Sequence, residues 1–326
     1  MSPAARARLF LALKVLGTVA LVAFLLTKLP LREVEAAMSH PRWGWLVASL
    51  AVYGISAVLG AWQWALILRG VGIDATWRDV SRLYHIGLFF NNFLPANIGG
   101  DAWKILDLGA RDGRRAGVLG ATMLDRLIGL AALTALACLA MGLAGVMHVP
   151  LPKVALALLP IGILLFAALA ALLSRRLGAL LVAVARRVGL GRLAGPLTQF
   201  TDDLARVAPR VGWLNGIFGL SVGIQLLRLL THLLAAWGMG IAISGQAALQ
   251  LTVLIPLVAL SLTLPISING IGLRESVSAG LLTWAGLAAP QAVAMELAAY
   301  LVQVAFSLVG GMFLWRRRRP RAQAQG

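Results

Sequence analysis

Five charged residues stand where a lipid-soluble chain has no cheap reason to put them: Asp101, Lys104, Arg228, Arg274 and Glu296. Each lies in or beside a long apolar run. Ionisable groups at such depth face a bundle interior or a wet cavity and pair with other polar groups. The bases suit phosphate, lysine as a point charge and arginine as a planar fork that grips two oxygens. Asp101, Glu275 and Glu296 are suited to hold those bases in place or to take up a proton. Arg228 shares a helix face with Gln225 and His232, and Glu296 shares one with Tyr300, Gln303 and Ser307. Two readings of Glu296 stand: a structural pair with Arg228, or a place beside Arg274 or Arg228 in the polar lining of a pathway. Asp125 and Arg126 lie near enough to an interface to snorkel, which favours a structural role for them.

Two interrupted stretches carry the other candidates. In NNFLPANIGGDAWK (91–104), Asn92 and Pro95 precede Gly99, Gly100 and Asp101, and Lys104 falls nine residues after the proline. In LPISINGIGLRES (264–276), Pro265 precedes Asn269, Gly270 and Gly272, and Arg274 again falls nine residues after the proline. Proline stops a helix and glycine lets the backbone turn or approach a ligand closely. A new helix start then presents free N–H groups suited to phosphate. Lipid cannot satisfy such backbone, so it must be buried in protein or line a wet cavity. The blander alternative is a pair of ordinary Gly/Pro loops between spans.

Composition sets the class of the elements that hold these residues. The chain is 60% hydrophobic and 13% charged, against about 45–50% and about 25% in soluble domains. Several runs reach the roughly 20 apolar residues that span a bilayer. The net charge of +17 does not point to nucleic acid, because the bases sit in blocks between apolar runs, as positive-inside topology requires. The single Cys138 excludes a disulfide framework, the four scattered histidines show no zinc spacing, and no cofactor is expected.

The runs predict full spans near 15–29, 44–68, 116–147, 154–173, 211–237 and 292–314, with both termini cytoplasmic. The arginine-rich segment 174–210 reads as an amphipathic helix on the inner membrane surface. Keeping the basic residues at 104–115 inside requires the first broken stretch, near 83–107, to dip in and return. The second, near 250–287, must enter and leave from outside. Paired interrupted segments of opposite orientation mark a midplane binding site.

The two motifs, in this order on a multi-span chain, resemble the flippase-like membrane family that includes the N-terminal translocase half of lysylphosphatidylglycerol synthetase. The resemblance covers nearly the whole sequence and implies movement of polar or charged lipids between leaflets, beside lipid or glycan biosynthesis. By motif position it implies roles for Asn92, Pro95, Gly99, Gly100 and Asp101, and for Pro265, Gly270, Gly272, Arg274 and Glu275. Lys104 stands where the family often has arginine. The soluble aminoacyl-transferase half has no counterpart, so synthesis of aminoacyl lipid is not expected.

The sequence thus predicts an all-α polytopic protein of the bacterial inner membrane, with about six full spans and two opposed re-entrant hairpins in one domain. The function expected is translocation of an anionic or phosphate-bearing lipid. An enzyme acting on a lipid phosphate and a non-transporting subunit of a lipid or glycan synthase are the alternatives. A membrane lipid is the expected ligand, and a lipid or glycan biosynthetic enzyme is a candidate partner.

Overall fold

The computed structural model describes residues 31–93, 99–187, 191–263 and 270–317. The first apolar run, Pro95, Pro265, Asn269 and the last basic residues lie outside them. Among the described residues there is no strand. Five helices are long and apolar enough to cross a membrane: Trp43–Gly70 (α2), Arg115–Val146 (α5), Lys153–Leu173, which opens with a 3-10 turn and continues as α6 (Leu158–Leu173), Val211–Gly238 (α9) and Ala289–Arg316. The last belongs to the helix Ala289–Arg317 (α12). This is an all-α polytopic membrane fold. Helices are what such runs must form, since a backbone in hydrocarbon has to satisfy its own hydrogen bonds.

Helices α2 and α9 run antiparallel. Trp45 stacks near Trp237 at 5.1 Å between ring centroids, and the Ser49 hydroxyl donates to the Thr231 carbonyl at 2.9 Å. At the other end Gly70 abuts the Trp213 ring. A short helix, Leu31–Met38 (α1), lies on α12. Helix α6 turns most of its apolar surface outward, as a lipid-facing span should.

Both broken stretches form helical hairpins. Trp77–Phe93 (α3) and Gly99–Arg111 (α4) pack against each other. Asp79, in the first turn of α3, lies 3.8 Å from Arg111 at the end of α4, so the chain leaves where it entered. Midway, Gly87 and Gly100 bring the backbones together; a Cβ on Gly100 would stand 2.0 Å from the Gly87 carbonyl oxygen. The second hairpin joins Gly245–Ser261 (α10) to Leu273–Leu281 (α11) and the 3-10 turn Leu282–Ala285, both packed on α10. Gly270 and Gly272 take φ of +75° and +79° in its turn, a region that favours glycine.

The hairpin bases sit at opposite ends of the bundle. The first lies beside Arg114, which donates to the Gly72 and Val71 carbonyls and pairs with Asp203. The second lies where Gln250 donates to the Pro150 carbonyl at 2.8 Å, just past the far end of α5. The arginine-rich segment is two helices, Arg175–Arg187 (α7) and Gly191–Ala205 (α8), folded against each other. Close packing of Gly178 on Thr201 joins them. Helix α7 turns Leu177, Leu180, Leu181 and Val184 outward, and α8 seats on α5.

Two apolar cores fill the ends of the bundle. One gathers the ends of α5 and α9 with α10 and α12; the other gathers the end of α2 with α3 and the start of α5. Polar side chains collect between them.

Candidate functional site

A cavity of about 420 Å³ opens between the two cores, lined from α2, α3, α4, α5, α9, α10, α11 and α12. Its size falls within the roughly 300–1,000 Å³ typical of small-ligand pockets. Both hairpins reach it: Asn92, Asp101 and Lys104 from the first, Arg274 from the second. Arg228 and Glu296 also line it. Gly99, Gly100, Gly270, Gly272 and Glu275 lie outside the lining.

At the α4 end the charges are matched. Lys104 Nζ lies 2.8 Å from an Asp101 oxygen, and the Arg126 Nε–H contacts the other carboxylate oxygen. Lys104 also lies 4.8 Å from the Trp64 ring centroid and 5.2 Å from that of Tyr84. Its charge is thus held by a carboxylate and two π faces. The Gly100 N–H donates to Asn91 Oδ1 at 2.9 Å, and Asp101 occupies the first turn, where a negative charge suits the helix dipole.

The second hairpin is built alike. The Glu275 carboxylate accepts from the Gly272 N–H at 2.8 Å. Glycine has no side chain to complete a reciprocal box, so this is a one-way cap. In both hairpins, then, an N–H at the new helix start is already taken by the chain's own side chain, and the first turn already holds a carboxylate. An incoming anion meets cavity side chains more openly than those helix starts.

Deeper in, Glu296 is 1% exposed. His232 Nδ1 lies 2.9 Å from one of its oxygens and Arg274 Nη1 lies 3.8 Å from the other. The Arg274 guanidinium also sits 4.7 Å from the Tyr300 ring centroid. Glu296 therefore joins Arg274 and His232, and the alternative pair with Arg228 does not form.

Arg228 stands apart. It makes no ion pair among the described residues, its buried Nε finds no acceptor there, and its guanidinium lies against the Tyr84 hydroxyl. Gln225, one turn earlier, donates to the Gly129 carbonyl at 3.0 Å and ties α9 to α5.

Asp125 and Arg126 differ from the interfacial expectation. Both line the cavity: Asp125 accepts from the Gln63 amide at 2.8 Å, and Arg126 meets Asp101. The first hairpin brings Asp101 and Lys104 to their level. Gln63, Tyr53 and Tyr84 also line the cavity. Nothing in their local sequence marked them, and only the packing of α2 and α3 brings them in.

Comparison with known families decides the relationship. The family model described as the lysylphosphatidylglycerol synthase TM region matches residues 10–323. The chain belongs to that family. Searches of curated proteins and of solved structures gave no match. Membership makes the chain a multi-pass membrane domain related to the membrane region of a phospholipid synthase, and the cavity is the polar centre of that domain.

Proposed function

We propose that this protein moves an anionic or phosphate-bearing lipid between the leaflets of the bacterial cytoplasmic membrane without changing it chemically. The observation that carries the reading is Arg228. It is a guanidinium in a cavity shared by two opposed hairpins, and no carboxylate among the described residues lies within ion-pair distance of it. Across the lining, four bases (Lys104, Arg126, Arg228, Arg274) face three carboxylates (Asp101, Asp125, Glu296), so positive charge is in excess before His232 is counted. A cleft of one sign with low-dielectric walls concentrates ligands of the other. Arg228 would grip the phosphate, Tyr84 and Gln225 would flank it, and the acyl chains would stay in the lipid.

The test is purified protein in vesicles carrying a trace of acyl-labelled phosphatidylglycerol, with a membrane-impermeant quencher reporting the exposed leaflet. Protein-dependent loss of protection is expected, faster than for labelled phosphatidylcholine. Unchanged protection for every anionic lipid tried would refute the proposal. Mass spectra showing altered lipid would favour an enzyme, and neither change would favour a partner subunit.

A further inference from the structure

The three cavity carboxylates are not equivalent. Asp101 contacts two bases, Lys104 and Arg126. Glu296 also has two, His232 and Arg274. Asp125 makes no ion pair among the described residues and is held by the Gln63 amide alone. Gln63 is 4% exposed, and its buried Oε1 has no partner among the described residues. That contact works in two states. The amide N–H donates to the carboxylate as found; after an amide flip, the unpartnered Oε1 would accept from a protonated Asp125.

From this geometry we infer that Asp125 binds a proton that travels with the lipid. The inference rests on the proposed lipid movement and adds its energy source. The groups facing Asp125 are Asp101 and Lys104 on α4, Arg228 on α9, Tyr84 on α3 and Gln63 on α2, with Arg126 its neighbour on α5. Helix α10 brings only apolar side chains to the lining, and α6 and α8 bring none.

A proton on Asp125 removes one of the three negative charges and raises the excess positive charge that the headgroup meets. Proton and anionic headgroup therefore favour each other's binding, and by linkage each does so equally. The step itself is a proton taken from water by the carboxylate on one side and returned to water on the other. No bond of the lipid forms or breaks. A singly charged anionic lipid and one proton cross together without net charge. The lipid should move from the acidic face toward the alkaline one.

The test uses the same vesicles and labelled phosphatidylglycerol, with a gradient of one pH unit. One proton per lipid limits the tracer to about a tenfold excess in the leaflet facing the alkaline side. Wild type is expected to approach that bias, to lose it when nigericin collapses the gradient, and to lose it in Asp125→Asn. Rapid equilibration to an even distribution under the gradient overturns the proton site and leaves lipid movement standing. Absence of any protein-dependent movement overturns both. A bias that survives in Asp125→Asn, or that follows a sodium gradient instead, also overturns it. Should Asp125→Asn misfold, a dye trapped in wild-type vesicles reads the proton directly. Lipid added on the acidic side must acidify the lumen, and a silent dye beside moving lipid rejects the inference.

Discussion

Lys104 Nζ lies 2.8 Å from Asp101 one helical turn away, and the Trp64 and Tyr84 rings cover it. Both side chains are nearly buried, at 7% and 10% exposure. Removing one member of such a pair strands the other, at a cost of about 3–5 kcal/mol. Asp101→Asn should therefore lower the thermal midpoint in detergent clearly by stranding Lys104, and Lys104→Ala should lower it less, because Arg126 still contacts Asp101. An Asp101→Asn protein as stable as wild type would show that the pair does not support the fold.

Arg228 predicts the opposite split. With no carboxylate to strand, Arg228→Ala should change the midpoint little and reduce phosphatidylglycerol movement at least tenfold. Arg228→Lys should recover only part of the rate, since lysine offers a charge without a fork. Equal losses of stability and movement would make Arg228 a packing residue.

How far the sequence disclosed this site follows from the range of each signal. The interrupted hairpins were legible because proline and glycine act locally, and the five long described helices because bilayer thickness demands long apolar runs. The Gln225, Arg228 and His232 stripe was legible from helix periodicity, and all three line the cavity. Asp125 was not singled out as a cavity residue because what it faces depends on how α2 and α4 pack against α5, which no local pattern records. Gln63 gave no signal at all: its role exists only because α2 packs against α5. The cap from Glu275 to Gly272 does have a readable three-residue spacing, but the phosphate-binding reading of the glycines competed with it.

Glycines at helix crossings give a prediction away from the cavity. A Cβ on Gly310 of α12 would stand 2.0 Å from the His85 carbonyl oxygen of α3, where only backbone could yield. Gly310→Ala should destabilise by about 1–3 kcal/mol through overpacking. Gly142→Ala, on a face with open space, is the control and should be neutral. Equal melting of the two variants would refute the close crossing.

Arg114 and Asp203 predict a clamp on the loops at one end. Asp203 is 2% exposed, and Arg114 links it to the Val71 and Gly72 carbonyls. Hydrogen bonds to charged groups contribute about 1.5–3 kcal/mol. Asp203→Ala should therefore loosen the seat of α8 and speed protease cleavage near Arg206. Lipid movement per folded molecule should be unchanged, because neither residue lines the cavity. Cleavage at the wild-type rate would show the clamp to be dispensable.

The last prediction concerns orientation. The first hairpin returns to the end that holds Arg111, Arg114 and Arg115, while the second has its base near Pro150 at the far end of α5. Basic residues near span ends stay on the cytoplasmic side, so the Arg114 end should face inward and the Pro150 end outward. Gly113 has φ +68° and would be strained by a side chain, so Asp112→Cys is the better inner probe. Lys153→Cys, exposed just past Pro150, is the outer one. With Cys138 replaced by serine, an impermeant maleimide added to whole cells should label position 153 and leave 112 unlabelled until the membrane is opened. Labelling of 112 from outside would invert the assignment, placing the Arg114 clamp and the mouth of the first hairpin on the outer face.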